Sequence, residues 1–283
     1  MSARIMVGDC LATLATLPAG SVQCCVTSPP YYGLRDYGMA EQIGLEETPD
    51  AYVARLVDVF REVRRVLRDD GTLWLNLGDS YGAGKQLQGI PWRVAFALQA
   101  DGWTLRSAIV WAKPNPMPES VTDRPTSAYE MVFLMSKAER YFYDAAAICE
   151  DWADERGGAS GARALRYSEG SGRADTLGGN GKRGLGIQPA TDGRNARNVW
   201  TIASQPFSGA HFATMPADLA ERCIKAGSRP GDTVLDPFGG AGTTGLVADR
   251  LNRDAILCEL NPAYADLARD RLTGDAPLFA VVA

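Results

Sequence analysis

The sequence predicts a doubly wound α/β fold carrying a long irregular insertion. Three observations carry that reading. Short apolar runs alternate with helical patterns through the first half of the chain, and a β-α-β-α pattern closes it. Between them lies a glycine-rich stretch with almost no apolar periodicity.

The elements follow in order. Residues 5–7 read as a strand, 11–17 as a helix and 22–27 as a second strand. A long helix is expected over 49–67, ending in Asp69, Asp70 and Gly71, with a buried strand over 72–77. Residues 91–100 form a helix with Pro91 in its first turn, and 105–111 and 129–136 are strands. After the insertion, helices are expected over 215–226, 242–251 and 262–272, and strands over 233–235 and 255–258. These last strands can complete the sheet begun by the N-terminal half.

Composition limits the function classes. The 283 residues carry 29 Lys and Arg against 34 Asp and Glu, a formal charge of -5, which taken alone argues against a nucleic-acid partner. The average hides a local excess: residues 156–199 hold 11 glycines and eight basic against three acidic residues, so +5 sits there and -10 on the remainder. The bland reading of that segment is a solvated loop. No stretch approaches the roughly 20 apolar residues of a membrane span and the start lacks a signal-peptide pattern, so a cytoplasmic protein is expected. The six cysteines include no CxxC pair and there is a single histidine, which disfavours a disulfide framework or a metal centre.

Two segments look chemical. Around Asp236, Pro237, Phe238, Gly239, Gly240, Ala241 and Gly242 a strand runs into a glycine-rich turn and then a helix opening with Thr243 and Thr244. Such a turn lets backbone approach a ligand at the mouth of an α/β sheet. The spacing is neither GxGxxG nor a lysine-bearing phosphate loop. Glu259, at the end of the next strand, can accept hydrogen bonds from ribose hydroxyls, so the pair suggests a nucleoside without a polyphosphate. The second segment, Thr27, Ser28, Pro29, Pro30, Tyr31 and Tyr32, directly follows a strand. Its prolines stiffen the backbone and leave carbonyls to accept hydrogen bonds, beside a hydroxyl and two rings.

Together these segments resemble the S-adenosylmethionine-dependent DNA amino-methyltransferases, in which (D/N/S)PP(Y/F) is the catalytic motif and FxGxG the cofactor motif. Catalytic motif first and cofactor motif last is the order of the β group, a circular permutation of the commoner arrangement. Further segments fit that order: Gly8, Asp9 and Cys10; Trp111 to Pro116; Asp123 to Thr126; His211 to Pro216; and Glu259 to Pro262. The resemblance implies a Rossmann-like methyltransferase sheet, circularly permuted. A catalytic half would span residues 1–112 and an inserted irregular target-recognition region 113–210, with its Gly/Arg-rich loop at 156–199. The cofactor-binding half would span 211–283.

It also implies residue roles. Ser28, Pro29, Pro30 and Tyr31 would be catalytic, accepting the target amine's N–H groups and stacking on a base flipped out of the duplex. Asp9, Cys10, His211, Thr214, Asp236, Phe238, Gly240, Gly242, Thr243, Thr244, Glu259 and Asn261 would hold S-adenosyl-L-methionine, Asp9 toward the adenine and Glu259 on the ribose. Arg35, Lys113, Arg124, Arg163, Arg166, Arg173, Lys182 and Arg183 would meet double-stranded DNA. A homodimer, a bacterial or phage origin and a place in restriction-modification are implied likewise, with no metal.

For the base, Ser in the first motif position is commoner in cytosine-N4 enzymes. The longer stretch 27–38, with 113–120, looks most like a subgroup associated with adenine methylation and with enzymes that lack a partner endonuclease. The expectation is adenine-N6, with cytosine-N4 as the alternative. No Pro-Cys occurs, which disfavours cytosine-C5 chemistry. A glutamine-methylating protein or an RNA methyltransferase would have the two motifs in the opposite order. A non-catalytic DNA-binding protein is the remaining alternative, and the intact Ser28, Tyr31 and Glu259 argue against it.

Overall fold

A computed structural model describes residues 2–150, 193–205, 215–275 and 281–282. The chain forms two compact units, Met1–Asp144 with Asn198–Ala283, and Ala145–Arg197. The basic residues Arg163, Arg166, Arg173, Lys182 and Arg183, most of the glycine-rich stretch, and His211 and Thr214 lie outside the described residues.

The first unit is a mixed sheet flanked by helices. In chain order its elements are β1 (Ser2–Val7), α1 (Cys10–Ala15), β2 (Val22–Thr27), α2 (Pro49–Val66), β3 (Leu67–Leu77) and α3 (Ile90–Ala100). These are followed by β4 (Thr104–Ala112), β5 (Tyr129–Ser136), β6 (Val199–Thr201), α4 (Ala217–Gly227), β7 (Thr233–Asp236), α5 (Thr243–Arg250), β8 (Asp254–Glu259), α6 (Pro262–Asp275) and β9 (Val281–Val282). The sheet order is β6-β4-β5-β3-β2-β7-β8-β1-β9. β3, β2, β7, β8 and β1 run parallel, and β5 is antiparallel to both β3 and β4.

This order puts the two halves of the sequence side by side. From β2 the chain builds outward through β3, then returns to place β7 on the other flank of β2, with Cys24 opposite Val234 and Cys25 opposite Leu235. The strand order therefore reverses between β2 and β7. In open α/β sheets that point opens a crevice beyond the carboxyl ends of the strands.

Local chemistry explains the elements. α2 starts where the Thr48 hydroxyl accepts the Ala51 N–H at 3.2 Å, with Pro49 in the first turn and Asp50 beside it. Its buried stripe of Tyr52, Leu56, Val59, Phe60 and Val63 recurs at helical spacing against β3 and its neighbours. All six residues of β2 are buried, as befits the central strand of a sheet covered on both faces.

Three features depart from the sequence reading. Residues 67–71 do not terminate a helix in a turn: Leu67 is extended, fully buried and paired with Val22, so β3 starts directly where α2 ends. Charged neighbours anchor that edge, Arg68 to Asp232 at 2.9 Å and Lys137 to Asp69 at 3.0 Å. β6 begins at Val199, the last residue of the expected irregular stretch, pairing Trp200 with Trp111. β9 extends the far edge beside β1. Both are too short to show periodicity in sequence.

The second unit contributes few described residues. Glu150 and Arg194 exchange backbone hydrogen bonds at 2.9 and 2.8 Å, and the Glu150 carboxylate accepts Arg197 Nε at 2.9 Å.

Candidate active site

The carboxyl edge of the sheet encloses a cavity of about 330 Å³. Gly8, Asp9 and Cys10 reach it from the end of β1, Ser28 to Tyr31 from the end of β2, and residues 236–241 from the end of β7. Glu259, Leu260 and Asn261 come from the end of β8 and Glu130 from the start of β5, which is antiparallel and so meets the same edge. Residues from both ends of the chain thus share one hollow because parallel strands all end on one side.

Asp236 joins the two chemical segments. One carboxylate oxygen accepts the Thr27 hydroxyl at 2.6 Å and the Phe238 N–H at 3.0 Å; the other accepts the Thr244 hydroxyl at 2.7 Å. Thr27 is the last residue of β2 and Thr244 lies in the first turn of α5. Burial raises the Asp236 carboxyl above its ordinary value, and the three donors pull it back. It lines the cavity, and its three bonds within the protein hold the two segments together.

Beyond it, the turn is shaped by glycine. Gly240 has φ +50, a conformation that L side chains rarely adopt, and it directs its N–H to Glu259 Oε2 at 2.7 Å. The Asn261 N–H occupies Glu259 Oε1 at 2.8 Å. Burial raises the Glu259 carboxyl, against those two donors. Each oxygen keeps a second lone-pair direction for a ligand hydroxyl. Gly242 differs from the other turn residues: it is absent from the cavity wall, and a Cβ there would meet Ala268 Cβ at 2.8 Å, so its role is to let α5 pack on α6.

Asp9 and Asn261 face the cavity while also capping helices, Asp9 Oδ1 accepting the Ala12 N–H and Asn261 Oδ1 the Ala263 N–H. The Cys10 thiol, pushed up to about 12 chiefly by burial, is a neutral part of the wall. Phe238, Thr243 and Thr244 line it as expected.

At the other end, Tyr31 is held from two sides. Its hydroxyl donates to Glu130 Oε2 at 2.5 Å and accepts Asn76 Nδ2 at 2.8 Å; the Ser28 hydroxyl donates to it at 3.2 Å. Lys113 in turn donates to Glu130 Oε1 while resting 4.5 Å above the Trp111 ring. The ring of Tyr31 lies so close to Gly78 that a Cβ there would stand 2.6 Å from its Cε2. Burial, then the Glu130 carboxylate, raises the phenol well above its ordinary value. The Pro30 carbonyl accepts the Tyr52 hydroxyl at 2.8 Å, which pins the proline turn to α2.

Of the basic residues expected at DNA, the three that the structure describes are Arg35, Lys113 and Arg124. Arg35 lines the cavity. Lys113 is turned toward Glu130, and Arg124 stacks 4.2 Å above the Tyr81 ring while pairing with Glu119 at 2.7 Å. Sequence patterning does not single out Asn76, Gly78 and Glu130. Their signals are a polar residue inside the apolar run LWLNL, a glycine just past it, and a carboxylate inside YEMVFLMS.

Comparison with known proteins gives a family-model match described as DNA methylase over residues 22–270. Type II methyltransferase M.XycI of Xanthomonas campestris pv. cyanopsidis is 48% identical over 94% of this chain and 86% of its own length. M.Cfr9I of Citrobacter freundii is 44% identical over 96% and 88%, and M.SmaI of Serratia marcescens 43% over 96% and 91%. Among solved structures, the putative DNA modification methylase TTHA0409 of Thermus thermophilus, complexed with S-adenosyl-L-methionine, has a TM-score of 0.64 at 26% identity over 99% of both chains. PvuII DNA methyltransferase (cytosine-N4-specific) has a TM-score of 0.70 at 22% identity over 98% of this chain and 92% of its own, a likeness of fold.

The contact between Gly78 and Tyr31 is testable by a double-mutant cycle. Gly78→Ala should lower unfolding stability in urea by about 1–3 kcal/mol, the usual cost of overpacking. Adding Tyr31→Ala should recover much of that loss. Strictly additive losses would place the clash elsewhere.

Proposed function

The chain belongs to the N6/N4 DNA methylase family, and on that premise we propose that it methylates the exocyclic N4 of cytosine in duplex DNA, with S-adenosyl-L-methionine as donor. The observation that carries the reading is the shared cavity, with a Ser-Pro-Pro-Tyr turn at one end and a glycine turn facing the half-buried carboxylate of Glu259 at the other.

The residues fit this cofactor. Glu259 offers ribose hydroxyls a carboxylate already fixed by two backbone N–H groups, and Asp9 follows the neighbouring strand β1, whose Val7 pairs with Glu259. The turn after Asp236 brings bare backbone to the methionine end. When bound, the cofactor supplies an electrophilic methyl group on a positively charged sulfur.

The chain's own residues then act by position and electrostatics. An exocyclic amine is a poor nucleophile because its lone pair is delocalised into the base. The Ser28 hydroxyl and the Pro29 carbonyl accept its two N–H groups and favour the pyramidal nitrogen needed for attack. The target base must leave the duplex, at a cost of a few kcal/mol, and the ring of Tyr31 recovers part of that by stacking. Gly78 behind the ring sets its depth.

The base is argued from Ser28. The sequence expectation of adenine-N6 leans on the likeness of residues 27–38 and 113–120 to a subgroup associated with adenine methylation. The relatives matched over nearly the whole chain carry the name Type II methyltransferase, which favours neither base, so the reading here rests on the catalytic motif. Serine in the first motif position then weighs toward cytosine. Genomic DNA from a host expressing the protein, digested to nucleosides and resolved by mass spectrometry, should contain N4-methyldeoxycytidine. N6-methyldeoxyadenosine in its place would return the base to adenine.

The cofactor end makes a separate prediction. Glu259 binds hydroxyls as a carboxylate, and burial raises its proton affinity. Cofactor affinity should therefore be full above the raised value and fall as pH drops through it, at a higher pH than for an ordinary glutamate. In calorimetric titrations Glu259→Gln should bind about 10–100-fold more weakly at neutral pH and lose that dependence. A wild-type affinity indifferent to acid would contradict the assignment.

A further inference from the structure

Glu130 touches neither the amine nor the cofactor in the proposed reaction, yet it is joined to Ser28 by hydrogen bonds that all point one way. The Ser28 hydroxyl donates to the Tyr31 oxygen at 3.2 Å, and the Tyr31 hydroxyl donates to Glu130 Oε2 at 2.5 Å. Asn76 sets this polarity. It is 3% exposed, and its amide nitrogen approaches Ser28 Oγ at 3.4 Å, the Tyr31 oxygen at 2.8 Å and Glu130 Oε2 at 2.9 Å. Its Oδ1 has no hydrogen-bond partner among the described residues. Turning the amide over would leave its N–H groups where Oδ1 finds no partner and would set an acceptor against the Glu130 carboxylate, so the amide stays as a donor. With Asn76 donating to its oxygen and the Glu130 carboxylate 2.5 Å away, against 3.2 Å to the Ser28 hydroxyl, Tyr31 directs its own proton to Glu130. The Ser28 oxygen, its proton committed to Tyr31, presents a lone pair to the cavity.

We infer that Glu130 receives the proton which the target amine loses on methylation, through the hydroxyls of Ser28 and Tyr31. The inference rests on methyl transfer to an exocyclic amine and is the same for cytosine and adenine. The nitrogen lone pair forms the new N–C bond as the S–C bond breaks and its electron pair stays on sulfur. The nitrogen then carries one proton too many. The electron pair of one N–H bond returns to nitrogen, and its proton goes to Ser28 Oγ. The Ser28 proton passes to the Tyr31 oxygen and the Tyr31 proton to Glu130 Oε2. Both hydroxyls end neutral, and Glu130 ends as a carboxylic acid. The transfer runs downhill: the methylated cationic amine is a far stronger acid than a carboxylic acid, because losing the proton restores conjugation with the ring. The charged and titratable groups facing Glu130 are Lys113 and Tyr31; Lys113 holds the carboxylate in place from its other oxygen. The high proton affinity of the buried phenol keeps Tyr31 neutral between turnovers.

Tyr31→Phe keeps the ring against Gly78 and removes the relay. Glu130→Gln keeps an acceptor for the Tyr31 hydroxyl and removes the base. Each variant should bind S-adenosyl-L-methionine and duplex DNA with wild-type affinity in direct titrations, leave KM unchanged, and lower the single-turnover rate by on the order of 10²-fold. The wild type should run slower in heavy water by a factor that both variants lack. Turnover of both variants within about twofold of wild type, against the general-base contribution expected, would overturn the inference. So would losses confined to DNA binding, which would make Glu130 a positioning residue for the Tyr31 ring. If the wild-type product carries no N-methylated base, the amine reading itself fails, which separates the two outcomes.

Discussion

The site depends on one buried carboxylate. Asp236 receives the hydroxyl that ends β2, the hydroxyl in the first turn of α5 and the N–H of the turn between β7 and α5. Each bond to a charged acceptor is worth roughly 1.5–3 kcal/mol in mutational terms, and together they offset the desolvation of a group only 3% exposed. Geometry follows from this. Thr27 precedes Ser28 and Thr244 follows the glycine turn, so the residues argued to face the target base and those argued to face the cofactor are fixed against a common anchor. Two segments from opposite ends of the chain could otherwise drift independently at the end of the sheet.

Topology makes that bond possible. β2 and β7 are parallel neighbours at the point where strand order reverses, so both carboxyl ends open on the same crevice. β3, β4 and the antiparallel β5 extend the edge on the target side and deliver Asn76, Gly78, Lys113 and Glu130 beside Tyr31. β8 and β1 extend it on the side proposed for the cofactor and deliver Glu259 and Asp9. Methyl transfer between two ligands needs them to meet in line. A single edge at which β5 begins and the other strands end supplies such a meeting place.

Much of this is legible in the chain. The alternation of apolar runs and helical patterns locates nearly every long element, and Ser28 to Tyr31, the glycine turn and Glu259 stand out because each lies at or just past the end of a strand. What escapes has a physical reason. Asn76 and Glu130 sit within apolar strands, where one polar residue looks like noise until the opposing strand is known. Gly78 and Gly242 owe their lack of a side chain to a ring or a helix brought against them from distant sequence. Leu67 to Gly71 read as a helix stop because acidic residues and glycine favour turns locally, whereas pairing with β2 holds the start of this segment extended. Asp236 lines the cavity where the sequence reading puts the cofactor, and its bond to Thr27 escapes that reading because the two residues lie 209 positions apart.

The claim that Asp236 binds the two halves of the site into one unit is tested most directly by a double-mutant cycle on the hydroxyls it accepts. Thr27→Val, Thr244→Val and the double variant would be compared by urea unfolding. Sharing of one buried carboxylate predicts a coupling energy of about 0.5–3 kcal/mol between the two positions. Losses that add to within about 0.3–0.5 kcal/mol would mean that the two threonines act independently, and would contradict the account.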